Sequence, residues 1–571
     1  MTDDEYTNFS TRTEPFQDNI IVVPPAVLIH SPRNYFFGIM SDVLTTLVAE
    51  SINTKLNHLI KFPEVLTFNR GIEREALRVD MNGNLAQTPH PAFLGSKLCH
   101  PMITTDFSEA QLELITPVSN SISDSLSTLD RIHRYVYSGL NEELLWSGSM
   151  PCVIPENDDI PLAQYGQSNL GRLKTTYRSG LGHRYGRAMQ TICAIHYNFS
   201  FTDDFWLALS ELENAQLPPD EYRSCRYFDL MRNFRRFSWL LVYLFGASPI
   251  VCKSFIKGRK HNLQEFDYGS AYLPDATSLR NGNLGYQSDT QSGLLNICYN
   301  SLEHYVETLR TAICTPHPVY HELQSPGEIH PQVNGNILQS EAEFYTTIRA
   351  KCIPPKGENF LKSLSREGVE YIEVRLLDIN PYLPLGIDAD QMRFLDTFLL
   401  FCLVADSPTH NDVMCAAVSD NVLKAVHQGR RGGLLLNDDG KDRSLSNWGE
   451  EILAAISPVA EILDKASSTQ NYTHSLAEQK RKLEDPNKTP SARILNDMQE
   501  EAVPFFQFAM NKATAHRQSF LSAPLSRQEQ DEFAAMSEQS IRNQTAIEEK
   551  DTVPFDRYLS ELQDQYEQLG S

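Results

Sequence analysis

The chain has 571 residues, of which 41% are hydrophobic and 22% charged, enough for about two to four ordinary domains or one large catalytic body with attached helices. A formal net charge of -23, from 50 basic and 73 acidic residues, excludes a general nucleic-acid binder. Apolar runs such as Trp239 to Phe245 fall far short of the roughly 20 residues that a membrane-spanning helix requires.

Residues 1–39 are polar at first and then hold Val22-Val23-Pro24-Pro25, which reads as an N-terminal extension, disordered or dispensable. No signal peptide is expected, because the chain opens with Asp3-Asp4-Glu5 and lacks a basic leading region. From Met40 the apolar positions Val43, Leu44, Leu47, Ile52, Leu56 and Ile60 predict a helix. Gly71 to Val79 predicts a strand followed by a tight turn at Asn82-Gly83, with Glu73, Glu75, Leu77 and Val79 on one face. Ile103 to Phe107 leads into a second strand, Gln111 to Pro117, in which Gln111 and Glu113 face opposite to Leu112 and Leu114. Ser121 or Ser123 caps a helix with Leu126, Leu129, Ile132 and Val136 as its apolar positions.

Gln164 to Gly180 is rich in Gly, Ser, Tyr and Arg, and gives way to a strand from Ile192 to Phe201. Ile195, Tyr197, Phe199 and Phe201 form the apolar back of that strand, and His196, Asn198 and Ser200 its polar face. Tyr227 to Phe245 reads as a buried helix closed by Gly246. A loop-rich section holding Arg280 and Tyr286 precedes a helical pattern over about 301–312 and the stretch around Tyr345. The last strong strand, Val369 to Asp378, places Glu373 and Arg375 opposite to Ile372, Val374 and Leu376. Beyond Asp388 the pattern is mostly helical, with a polar, mobile stretch expected around 467–489. Ten cysteines without a CxxC pair or metal-ligand spacing read as reduced thiols of a cytoplasmic protein.

Several separated strands thus share one design, which a curved antiparallel sheet with helices behind it satisfies. Glu73, Glu75, Asp106, Glu113 and Glu373 would then meet His196 in the hollow. Two carboxylates ~5 Å apart at an effective dielectric of ~20 repel by about 3 kcal/mol, so such a cluster needs bound cations or protons. Its oxygen-rich donors suit Mg²⁺ or Mn²⁺ rather than zinc. Gly166 and Gly171 have phosphate-loop spacing, but Arg172-Leu173 stands where Lys-Ser/Thr is needed, so a nucleotide must be gripped through metals and arginines. Each feature also has an ordinary reading. The EREA stretch suits a solvated edge and His196 a core histidine; Arg178, Arg280 and Arg375 suit ion pairs, and Tyr177, Tyr286 and Tyr345 suit packing. Pattern alone ends at a metal enzyme whose reaction is open.

The stretches RGIEREALRV, HPMITTDFSEAQLELITPV, QYGQSNLGRLKTTYRSGL, RYGRAMQTICAIHYNFSF, YLFGASPIVC, ATSLR, NGNILQSEAEFY and EYIEVRLLDINP resemble, in order, the proteobacterial-type glutamate–cysteine ligase (γ-glutamylcysteine synthetase) family. The resemblance implies an α+β fold with a glutamine synthetase-like catalytic core, in which a curved antiparallel sheet forms a funnel with surrounding helices and a mostly helical C-terminal part. It divides the chain into an extension (1–39), a catalytic core (40–410) and the helical part (411–571). The implied reaction joins the γ-carboxylate of L-glutamate to the amine of L-cysteine through a γ-glutamyl phosphate, with ATP as co-substrate and Mg²⁺, or Mn²⁺, as cofactor. It is the first step of glutathione biosynthesis. Carried over residue by residue, the metal positions are Glu73, Glu75, Asp106, Glu113, His196 and Glu373. The cysteine-binding positions are Phe107, Tyr177, Arg178, Leu181, Gln190, Asn198, Arg280, Tyr286 and Tyr345, with Arg178 or Arg280 anchoring the carboxylate. Arg375 is the expected phosphate contact and, with Glu73 and Glu373, carries the chemistry. A cytoplasmic monomer under feedback inhibition by glutathione, with no nucleic-acid or membrane partner, completes what the resemblance implies. Two alternatives stay open: a γ-glutamyl ligase for another amine, and a silent sensor of glutamate or nucleotide. The second would be marked by a lost metal ligand, and none is lost.

Overall fold

The computed structural model describes residues 52–151, 153–285, 291, 295, 297, 299–323, 330–355 and 357–570. The expected extension, most of the first helical pattern and Tyr286 lie outside the described residues, while 52–59 are helical.

Strand alternation builds the core. Seven strands, β1 (Phe68–Asp80), β2 (Ile103–Thr105), β3 (Gln111–Ile115), β4 (Glu143–Leu145), β5 (Ile195–Phe201), β6 (Ile348–Lys351) and β7 (Tyr371–Leu377), make one sheet. Its order is β2-β3-β1-β5-β7-β6, with β4 paired to the end of β1, and every pairing is antiparallel. The turn at Asn82-Gly83 forms as expected: Gly83 has φ +79°, and Asp80 Oδ1 accepts from the N–H groups of Asn82 and Asn84 at 2.9 Å.

Ile72, Ala76, Leu112, Leu114, Ile195, Tyr197, Phe199, Ile372 and Val374 form the buried back of the sheet. The helices Ile122–Gly139 and Pro219–Phe245 pack on it. Ser121 caps the first by accepting from Asp124 N–H, and Leu129, Ile132 and Val136 are its buried stripe. The second is longer than the aromatic spacing suggested and is buried along most of its last half. A charged pair is sunk in this back: Arg70 donates through Nε and Nη2 to Asp396 of the helix Ala389–Val404, at 3.0 and 2.7 Å, and Tyr197 Oη donates to the same carboxylate at 2.8 Å.

Two stretches differ from their composition. The Gly- and Arg-rich region folds as a helix, Asn169–Tyr185, capped by Ser168. Its glycines serve close approach: a Cβ on Gly171 would sit 2.4 Å from the carbonyl oxygen of Tyr165, and one on Gly180 would meet the Gln339 side chain. The polar stretch around 467–489 is likewise helical at Asn471–Glu484, with Ser475, Leu476, Gln479 and Leu483 buried. Asp464 holds its start by accepting from the N–H groups of Tyr472 and Thr473, at 2.8 and 3.0 Å. No described helix is long and apolar enough to cross a membrane. Cys252 is disulfide-bonded, which corrects the expectation of reduced thiols at that position.

Candidate active site

The register of the sheet gathers the acids. Glu75 of β1 lies opposite Glu113 of β3, Glu73 opposite His196 of β5, Asn198 of β5 opposite Glu373 of β7, and Glu373 opposite Arg349 of β6. Residues directly opposite in a ladder project to the same side, so one polar row crosses the face away from the helices. One donor atom from each of Glu73, Glu113 and His196 lies within 4.8 Å of the others. His196 Nδ1 is 3.1 Å from Glu73 and 3.6 Å from Glu373, and its Nε2 is 3.6 Å from Glu75. Asn198 Nδ2 donates to Glu73 at 2.8 Å, and the N–H of Ala194 donates to Glu75 at 2.7 Å. Asp106 follows β2 and borders the cluster.

The carboxyls divide into two kinds. Burial pushes Glu75 and Glu113 well above the usual range, reinforced at Glu75 by the charge of Asp106 and at Glu113 by Glu73, Asp106 and Glu75. At Glu73 burial acts the same way, but the hydrogen bond and charge of His196 outweigh it and hold the group low. Glu373 is held well below its usual value because Arg375, Lys351, His196 and Arg349 together overcome its burial. Glu373 Oε2 is nevertheless buried without a hydrogen-bond partner. Mostly oxygen donors, one imidazole and carboxyls that crowd each other upward fit a hard divalent cation.

The face changes sign across the sheet. Arg375 Nη1 is 2.8 Å from Glu373, Lys351 Nζ 3.6 Å and Arg349 Nη1 4.0 Å. Sequence reasoning found Arg375 but missed Arg349 and Lys351. Their signal was present as two cations at alternate positions of a short β-compatible run, Ile348-Arg349-Ala350-Lys351.

Beside the acids lies a cluster of aromatic and amide groups. Gln190 Nε2 donates to Tyr345 Oη at 2.8 Å, and the Tyr345 and Tyr185 rings meet at 5.5 Å. Tyr177 and Arg178 come from the glycine-rich helix, where Arg178 stacks over Tyr165 at 4.6 Å and donates to the carbonyls of Asp106 and, at 3.0 Å, Lys174. Phe107 and Leu181 are buried nearby, and a Cβ on Gly182 would lie 3.5 Å from the Phe107 ring. A buried pair, Arg184 and Glu343 at 2.9 Å, ties the helix to the segment carrying Tyr345, and Tyr185 Oη adds a bond of 2.7 Å to Glu343. Arg280 stands apart from the other residues expected here. At 2% exposure its Nε donates to the carbonyl of Cys193 and its Nη2 to those of Arg375 and Leu377, where the register between β5 and β7 slips. These two nitrogens hold main chain under the site, and Nη1 donates to Asn281 Oδ1 at 3.0 Å.

The acid row suits divalent cations and the basic groups beside it suit an anion, as a ligase that activates a carboxylate with ATP and hands it to an amine requires. The family model for glutamate–cysteine ligase matches residues 55–425. The glutamate–cysteine ligase of Alcanivorax borkumensis is 49% identical over 499 residues, covering 86% of this chain and 95% of that one. That of Pseudomonas paraeruginosa is 45% identical over 526 residues, covering 92% and 98%. The crystal structure of glutamate–cysteine ligase from Francisella tularensis in complex with AMP superposes with a TM-score of 0.82 at 34% identity, covering 88% of this chain and 98% of that one. A bifunctional glutathione synthetase from Pasteurella multocida shares the fold, with a TM-score of 0.64 at 24% identity over 85% of this chain and 57% of that one. The chain belongs to the glutamate–cysteine ligase family.

Proposed function

We propose that this chain joins the γ-carboxylate of L-glutamate to the amine of L-cysteine at the expense of ATP, giving γ-glutamylcysteine, ADP and phosphate. The observation that carries the assignment is the meeting of Glu73, Glu113 and His196 within 4.8 Å, on one face with Glu75 and Glu373. Glu73, Glu75, Asp106, Glu113, His196 and Glu373 would hold Mg²⁺, or Mn²⁺. Bound there, such an ion would supply positive charge against the phosphate oxygens. The glutamate γ-carboxylate attacks the γ-phosphorus of ATP, ADP leaves, and the acyl phosphate is trapped by the cysteine amine with loss of phosphate. Arg375 supplies a fixed positive charge to the phosphoryl oxygens, which also gather charge in transfer.

Cysteine is taken up beside the acids. Tyr177, Gln190, Asn198 and Tyr345 offer hydrogen bonds, Phe107 and Leu181 exclude water, and Arg178 pairs with the carboxylate. Arg280 serves the subsite by holding its floor. Tyr286 completes the set assigned on resemblance. A cytoplasmic monomer inhibited by glutathione, and a division near residue 410 into catalytic core and helical periphery, belong to the same reading. The test is ADP release with glutamate present and cysteine added or withheld. Stimulation by cysteine above that by 2-aminobutyrate or ammonia is expected, and indifference to cysteine would overturn the assignment.

A further inference from the structure

We infer that Lys351 is a ligand for the non-transferred phosphates of ATP, an inference that rests on the reaction proposed above. Three cations, Arg349, Lys351 and Arg375, face the one carboxylate of Glu373. Only Arg375 is within hydrogen-bond distance, at 2.8 Å, since Lys351 and Arg349 stand 3.6 and 4.0 Å away. Lys351 thus lies on the face of the acids without a hydrogen bond to this carboxylate, where its ammonium can meet an anion that arrives there.

The two cations missed by sequence differ in what else they hold. Arg349 Nη2 donates to the carbonyls of Ala342 and Phe344, at 2.7 and 2.6 Å, which fixes the main chain just before Tyr345. Among the described residues no main-chain carbonyl anchors Lys351 in this way. Its side chain keeps 26% of its exposure and its ammonium remains on the face of the acids. A lysine is a flexible point charge suited to phosphate oxygens.

Position along the strand selects which phosphates. In the register of β6 with β7, Arg349 lies opposite Glu373 and Lys351 opposite Tyr371, so Lys351 is two residues farther from Tyr345, about 6.6 Å along the strand. In-line transfer sets the attacking carboxylate and the departing ADP on opposite sides of the γ-phosphorus. With the amine entering at Tyr177 and Tyr345, the order is cysteine, glutamate, γ-phosphate and then the β- and α-phosphates. That order brings the last two to Lys351.

The test measures inhibition by ADP and by adenosine, with Mg²⁺ present, for the full chain and for Lys351→Met. Loss of one charge-assisted contact is expected to weaken ADP by about 10-fold or more and leave adenosine unchanged, with the KM for cysteine also unchanged. Lys351→Arg keeps the charge and is expected to retain most of the affinity. Equal ADP affinity in Lys351→Met, or an equal loss for ADP and adenosine, would overturn the inference. Either result alongside an active wild type defeats only the role of Lys351, whereas a wild type that releases no ADP on glutamate defeats the reaction itself.

Discussion

The two faces of one sheet bury charge in opposite ways. On the back, Arg70 and Asp396 form a closed set: the guanidinium Nε and Nη2 and the Tyr197 hydroxyl end on a single carboxylate, and Nη1 donates to the carbonyls of Phe68 and Asn120, both at 2.8 Å. On the front, carboxyls crowd carboxyls, and an oxygen of Glu373 lies buried without a hydrogen bond among three cations. A closed set holds structure together. A crowded, incompletely bonded set is arranged for something that arrives later.

The largest expected effect sharpens this contrast. Glu73→Gln should lower turnover by about 10² to 10³-fold or more, as for loss of one well-placed electrostatic contact, and leave thermal stability equal to or above that of the wild type. ADP release and a melting curve check both halves, and a large loss of stability would place Glu73 with the structural charges. On the back the signs reverse. Asp396→Ala leaves Arg70 buried without its partner and should cost about 3–5 kcal/mol of stability, read by urea denaturation. A variant as stable as wild type would break the comparison.

A smaller effect concerns pH. His133, behind the sheet, is held well below its ordinary pKa by burial and by the nearby charge of Arg74, and its Nδ1 lies 2.7 Å from the carbonyl of Leu129. The folded state keeps this ring neutral, while the unfolded chain takes up a proton near pH 6.5. Its contribution to stability is therefore complete above that pH and declines below it, by at most about 1.4 kcal/mol per pH unit. Denaturation midpoints between pH 7 and 5 should fall less for His133→Gln than for wild type. The smallest effect is at the cap of the helix that packs on this back: Ser121→Ala should cost about 1 kcal/mol with turnover per folded molecule unchanged.

Local pattern was legible where neighbours decide it. Alternation along 71–79, 195–201 and 371–374 assigned the side chains to the correct faces, because a strand allows two orientations and burial selects one; past Val374 the register slips, and Leu377, expected beside Glu373, comes opposite Ile195 of the apolar back. The helices at Asn169–Tyr185 and Asn471–Glu484 were not legible. Glycine in the first, and polarity in the second, argue against helix until the packed partners, Tyr165 and Gln339 or Asp464, are in view. Arg349 and Lys351 passed unnoticed because a four-residue strand carries too short a period. Arg280 is read from sequence as a reaching cation, and its Nε and Nη2 donate to main-chain carbonyls that only the fold brings within range.

By itself, then, the sequence determined which side chains share a face of each strand wherever the alternation is unbroken, and through its family resemblance which reaction to expect. The tertiary structure decided which strands are neighbours and in what register. Pairing between residues 73 and 373 depends on hydrogen bonds and burial spread over the whole sheet, and no local window of sequence contains that information.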